Sequence, residues 1–140
     1  MKMVNTLDMQ DLRYLNLFEK ITGIRTHYCF NYNNAIIFCV PRELVSKAIG
    51  PEVRNLRRIS EIIKKRVKVI ATPKSPSDIR RFIELIVSPV TFKDLEVLPN
   101  EIVLNAGSQS KAALIGRDKR RLIEMQKITK DFFKKDFRII

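Results

Sequence analysis

Apolar positions recur along this chain in short blocks whose spacing alternates between the helical and the strand period. Between Asp8 and Thr22, the residues Leu12, Leu15, Phe18 and Ile21 or Thr22 form a stripe at three- and four-residue spacing. Asp8 is placed as an N-cap and Gly23 just past the helix end. Two strands follow, His27 to Tyr32 and Ala35 to Val40, joined at Asn33-Asn34, residues that accept positive φ in a tight hairpin turn. A short helix, about Glu43 to Ile49, leads to Gly50-Pro51. A longer helix runs from Glu52 or Val53 to Lys65, and the β-branched run Val67 to Ala71 closes the block as a strand.

The same order then repeats. After Thr72-Pro73-Lys74-Ser75-Pro76-Ser77, Ser75 can cap a helix with Pro76 at its first position and Asp78 at its third. That helix spans about Pro76 to Val87. Strands follow at Thr91 to Leu98 and Ile102 to Asn105, a helix pair flanks Gly116, and Phe137 to Ile140 is the last strand. Aligned on Gly50 and Gly116, Ile49 matches Ile115, Arg54 matches Arg120 and Leu56 matches Leu122. Further on, Ile59 pairs with Met125 and Ile62 with Ile128. Lys64-Lys65 is then answered by Lys134-Lys135, so the offset grows from 66 to 70 and the second long helix gains about one turn. The chain reads as a tandem duplication, residues 1–72 and 73–140, each α-β-β-α-α-β. A six-residue linker with two prolines predicts a fixed relation between the copies and one continuous surface.

Charge changes the picture more than size does. The 140 residues carry 27 Lys and Arg against 15 Asp and Glu, a formal net charge of +12, spread as +7 over 1–72 and +5 over 73–140. A hydrophobic fraction of 45% excludes a disordered basic tail. No apolar run approaches the roughly 20 residues of a membrane span, and no signal peptide is evident, so a soluble, cytoplasmic protein is expected. Such a cationic folded chain points first to a polyanion, most often nucleic acid.

Chemistry for catalysis is thin. His27 is the only histidine, and Cys29 and Cys39 are the only cysteines. They make neither a His-based triad nor a four-ligand zinc site, and no P-loop or dinucleotide fingerprint is present. The expectation is a protein without enzymatic activity, cofactor or metal. The two cysteines lie on adjacent strands, able to face each other if the register allows, and otherwise act as small buried apolar residues. Phe132, Phe133 and Phe137 read as core.

The glycines carry the candidate chemistry. A glycine between two helices lets backbone approach a ligand closely, and the next helix offers open N–H groups and a positive dipole end, which suits a phosphate. The plainer alternative is a sharp turn between packed helices. The twofold occurrence of the Ile-Gly step, with arginines after it each time, favours the phosphate reading. The candidate phosphate contacts are therefore Gly50, Arg54, Arg57 and Arg58 in the first copy. Gly116, Arg117, Lys119, Arg120 and Arg121 are their counterparts in the second.

An α-β-β-α-α-β unit with such a glycine turn resembles a type II KH domain, whose Gly-x-x-Gly loop clamps backbone nucleotides. Two in tandem, with Ala48-Ile49-Gly50 and Arg54-Asn55-Leu56 in the first, resemble the paired KH domains of the transcription factor NusA, and most closely the short archaeal NusA-like proteins. The resemblance runs from about Asp8 to Ile140. It implies an α+β fold, with a three-stranded mixed sheet and helices on one face in each copy. Bases would lie in a groove lined by Ile49, Leu56 and Ile70, and by Ile115, Leu122 and Ile139. It also implies single-stranded RNA and RNA polymerase, or the nascent transcription complex, as partners, with an influence on elongation or termination. Alternatives are a module for rRNA maturation or ribosome assembly, or a protein-interaction adaptor.

The sequence departs from that pattern at the second glycine, which is Val53 in one copy and Lys119 in the other. Val53 is β-branched and ill-suited to positive φ, so the first loop is expected to lose its close approach at that end. Glu52 adds an acid where a base is usual. The second loop keeps two cations and is expected to bind more strongly.

Overall fold

A computed structural model describes residues 6–140, which divide into two compact units between Thr72 and Pro73. The first unit contains α1 (Met9–Thr22), β1 (Tyr28–Tyr32), β2 (Ala35–Val40), α2 (Val45–Ile49), α3 (Arg54–Ile63) and β3 (Arg66–Ala71). The second contains α4 (Ile79–Val87), β4 (Asp94–Val97), β5 (Glu101–Asn105), α5 (Lys111–Ile115), α6 (Arg120–Phe133) and β6 (Asp136–Ile139). Each unit is α+β with one mixed three-stranded sheet. In the first the order is β1-β2-β3, with β1 antiparallel and β3 parallel to β2; β4-β5-β6 repeats that arrangement.

Local chemistry explains the element ends. Asp8 accepts from the Asp11 N–H at 2.8 Å while the Asp11 carboxylate accepts from the Asp8 N–H at 3.1 Å, a closed capping box at the start of α1. Gly23 ends that helix at φ 74°, its N–H donating to the Glu19 carbonyl at 2.8 Å. The hairpin turns at Asn33 and Asn34 with φ of 50° and 60°. At the second unit, the Asp78 carboxylate accepts from the Lys74 N–H at 2.9 Å and the Ser75 N–H at 3.3 Å. Helix α3 has 10 residues and α6 has 14, and they end at Lys64 and Lys134, both left-handed. The extra turn inferred from the shifted repeat is therefore real.

The core of each unit joins helices to one sheet face. In the first, Phe18, Ile36, Phe38, Val40, Ile59 and Val69 are buried together, with the Phe18 and Phe38 rings stacked at 4.4 Å. In the second, Phe82 stacks on Phe132 at 5.5 Å and meets Phe133 edge-on at 5.6 Å, and Phe137 is buried too.

Two expectations need correction, and between the two readings of the cysteines the structure takes the buried one. Leu12 is 50% exposed, and the buried stripe of α1 is Asp11, Tyr14, Leu15, Phe18 and Thr22. The capping box draws Asp11 inward and Leu12, 100° further round, turns to solvent. Cys29 pairs with Phe38 and Cys39 with Tyr28, so strand alternation puts the thiols on opposite sheet faces; the two form no disulfide and both are buried. Burial foremost, and Cys29 next, push the Cys39 thiol well above its ordinary range. Strand β4 begins at Asp94, three residues later than its pattern suggests, because pairing with β5 starts at Asn105.

Candidate nucleic-acid interface

Between α2 and α3 the chain makes one 3-10 turn, Pro51–Val53; between α5 and α6 it makes another, Arg117–Lys119. Gly50 has φ 79° and ψ 167° and Gly116 has φ 77° and ψ 171°, a region open to glycine and almost no other residue. Glu52 and Asp118 follow at φ of 54° and 55°, then Val53 and Lys119 at 62° and 60°. The two turns share one backbone path. The expectation that Val53 abandons positive φ is wrong: it keeps the left-handed conformation despite its branched Cβ. The packed helices on either side dictate the path, and the residue type yields.

The glycines are required by the protein's own packing. A Cβ on Gly50 would lie 2.8 Å from Asn55 Nδ2 and 3.2 Å from the Asn55 backbone N. A Cβ on Gly116 would lie 2.9 Å from Arg121 Cγ and 3.1 Å from the Arg121 N. Neither α3 nor α6 has a side-chain cap at its start; the turn's own backbone takes the first N–H of each, Arg54 donating to the Pro51 carbonyl and Arg120 to the Arg117 carbonyl, and the positive dipole end of each helix lies beside the turn.

The cations gather around these turns in different ways. Arg54, Arg57 and Arg58, one face of α3 at three- and four-residue spacing, line a shallow depression of about 310 Å³ together with Glu52 and Glu61. In the second unit Arg117, Lys119 and Arg120 are exposed on the turn itself and the first residue of α6. The positions matching Arg57 and Arg58 are there Ile123 and Glu124. Among the described residues none of these six cations forms an ion pair; the pairs formed are Arg80–Asp94, Lys127–Asp131, Lys130–Asp136 and Arg138–Glu101. Arg121 differs, donating from Nη1 to the Ala113 carbonyl at 2.7 Å.

The apolar candidates divide. Ile49, Leu56, Ile115, Leu122 and Ile139 are half-buried beside the helices or on the sheet. Ile70 is buried and pairs with Cys39, whereas Val69 pairs with Phe38, so Ile70 lies on the sheet face turned away from α1, α2 and α3. It cannot line a groove on the helix side; Val69 holds that register position. Among the described residues no three His, Cys, Asp or Glu side chains converge as a metal site, and no helix is long and apolar enough to cross a membrane.

No protein-family model matches the chain. It is 26% identical over 130 residues to the probable transcription termination protein NusA of Halococcus morrhuae, taking in 86% of this chain and 91% of that protein. It is also 26% identical over 91 residues to the protein of the same description from Methanococcus vannielii, where the match takes in 65% of this chain and about half, 51%, of the relative. The crystal structure of APE1850 superposes with a TM-score of 0.65 over 96% of this chain and 99% of that one, at 23% identity, and so has the same fold. The chain is similar to archaeal NusA-like proteins, in an α+β fold whose two small mixed sheets and packed helices agree with KH-like units.

Proposed function

We propose that this chain is a non-enzymatic RNA-binding factor of the NusA kind, formed by two tandem type II KH units, 1–72 and 73–140. It binds single-stranded RNA at the two glycine turns and acts beside RNA polymerase on elongation or termination. The observation that carries this reading is the repeated turn: the same glycine-dependent path occurs twice, each time at an uncapped helix start among unpaired cations. Such a turn suits a phosphate, and the half-buried apolar residues beside it suit bases. Gly50, Arg54, Arg57 and Arg58 form one contact set; Gly116, Arg117, Lys119 and Arg120 form the other. The names of the two relatives support the link to transcription. The test is an anisotropy titration of labelled single-stranded RNA against wild type, an Arg117/Lys119/Arg120→Ala triple variant, and a Lys127/Lys130→Ala control whose cations are already ion-paired. Loss in the triple variant with binding kept in the control is expected. Equal affinity in all three would overturn the reading and favour a protein-docking adaptor.

A further inference from the structure

One polar side chain crosses each glycine turn, at the same position in both copies. Five residues after Gly50, Asn55 Nδ2 donates to the Lys47 carbonyl at 3.3 Å. Five residues after Gly116, Arg121 Nη1 donates to the Ala113 carbonyl at 2.7 Å. Each acceptor lies three residues before its glycine, among the last carbonyls of a five-residue helix that has no later turn to satisfy them. Each of these side chains also passes over its glycine, in the space a Cβ would need: the Asn55 amide at Gly50 and the Arg121 Cβ–Cγ stem at Gly116. An amide and a guanidinium have different shapes, reach and charge, yet both donate to the carbonyl three residues before the glycine. What they share is a donor aimed back across the turn.

We propose that Asn55 and Arg121 are positioning residues for RNA binding: each ties the short helix before the turn to the long helix after it and so holds the turn ready for a phosphate. The inference rests on the RNA-binding reading above and reassigns Arg121, whose basic character alone would make it a phosphate contact. A contact and a strut differ in measurable ways. A lost phosphate contact on single strands lowers the log–log salt slope by about 0.7. A lost strut weakens binding without changing how many phosphates are neutralised. The strut also needs only a donor, so the first copy's residue should serve in the second.

The experiment uses the full chain as wild type, Arg121→Ala and Arg121→Asn, titrated across a salt series with a labelled pool of randomised single-stranded RNAs of about twelve nucleotides, long enough for two four-nucleotide clamps. Amide exchange of the Gly116 to Arg120 segment is followed in the same three proteins. Arg121→Ala is expected to weaken binding about tenfold with the wild-type slope, and to speed exchange in that segment. Arg121→Asn is expected to regain most of both. Equal losses in the two variants with a slope lower by about 0.7 would overturn the proposal in favour of a direct contact. So would unchanged affinity in Arg121→Ala at temperatures where it remains folded. Should wild type bind no RNA, the RNA-binding reading fails by itself. Exchange in the turn then decides whether the strut exists, standing if Ala loosens and Asn restores it and falling if neither variant moves it.

Discussion

Val53 offers the sharpest test of how the first turn is held. Its φ of 62° and ψ of 23° cost a non-glycine residue about 1–2 kcal/mol. Val53→Gly and Val53→Ala both remove the branched γ-methyl groups, and only Gly also removes the Cβ that causes the strain. Glycine's extra freedom in the unfolded chain costs about 0.5–1 kcal/mol, which leaves Gly ahead of Ala by about 0.5–1 kcal/mol. An ordinary helical residue gives the opposite order, Ala ahead by about 1 kcal/mol. The assay is urea denaturation followed by tyrosine fluorescence. The chain has no tryptophan, and Tyr14, Tyr28 and Tyr32 all lie in the first unit, so the signal reads the unit that holds Val53. With a slope of about 1 kcal/mol/M for a domain this small, the Gly midpoint should lie about 0.5–1 M above that of Ala. Because the turn already has its shape, Val53→Gly should also leave single-stranded RNA affinity within about twofold of wild type. An Ala variant as stable as Gly, or more so, would refute the left-handed conformation and with it the shared path of the two turns.

Further outcomes follow from the same geometry. Gly50→Ala and Gly116→Ala should each lower the melting temperature by about 10 °C or more, since strain and the Asn55 or Arg121 clash together cost about 2–4 kcal/mol; melts within a few degrees of wild type would contradict the packing described. Glu52→Gln should tighten RNA binding about two- to fivefold at low salt, by removing a carboxylate from the depression that Arg54, Arg57 and Arg58 line, with the gain fading as salt rises. A loss of affinity would mean that the carboxylate itself touches the ligand. Partial burial first, and the Arg66 charge second, hold the Lys68 ammonium below the ordinary lysine range. The unfolded chain therefore binds that proton more tightly, and stability rises with pH between the folded and unfolded values. Lys68→Met should stabilise the first unit at neutral pH, by an amount that shrinks as pH rises toward the ordinary lysine range; a gain independent of pH would reject this cause.

Much of the fold is legible in the residues themselves. The alignment of the two glycines and the drift to the paired lysines place both long helices and measure the extra turn in α6. Asp8, Gly23 and Asn33-Asn34 mark element ends because their side chains or backbone freedom act locally. What escapes is set by contacts across the chain. The Asp8 and Asp11 capping box gives the first buried position of α1 to Asp11 and leaves Leu12, apolar enough for the core, in solvent, while Leu15, Phe18 and Thr22 stay buried. A one-residue slip in assigning Ile70 reverses its sheet face, since strand side chains alternate. The turn conformation at Val53 and Lys119 is hidden because neither residue prefers it. The struts are hidden because Arg121 sits in a basic run that suggests another purpose. The sequence signal for them is present all the same: a polar residue stands five places after each glycine, Asn in one copy and Arg in the other.

The central claim, that two glycine turns and their cations hold the backbone of single-stranded RNA, is tested most directly by the salt dependence of binding. Six exposed cations that form no ion pair among the described residues flank the turns: Arg54, Arg57, Arg58, Arg117, Lys119 and Arg120. Contact with about four to six phosphates predicts a log–log slope of roughly −3 to −4 for single-stranded RNA. A slope near zero, or no measurable binding at low salt, would contradict the account.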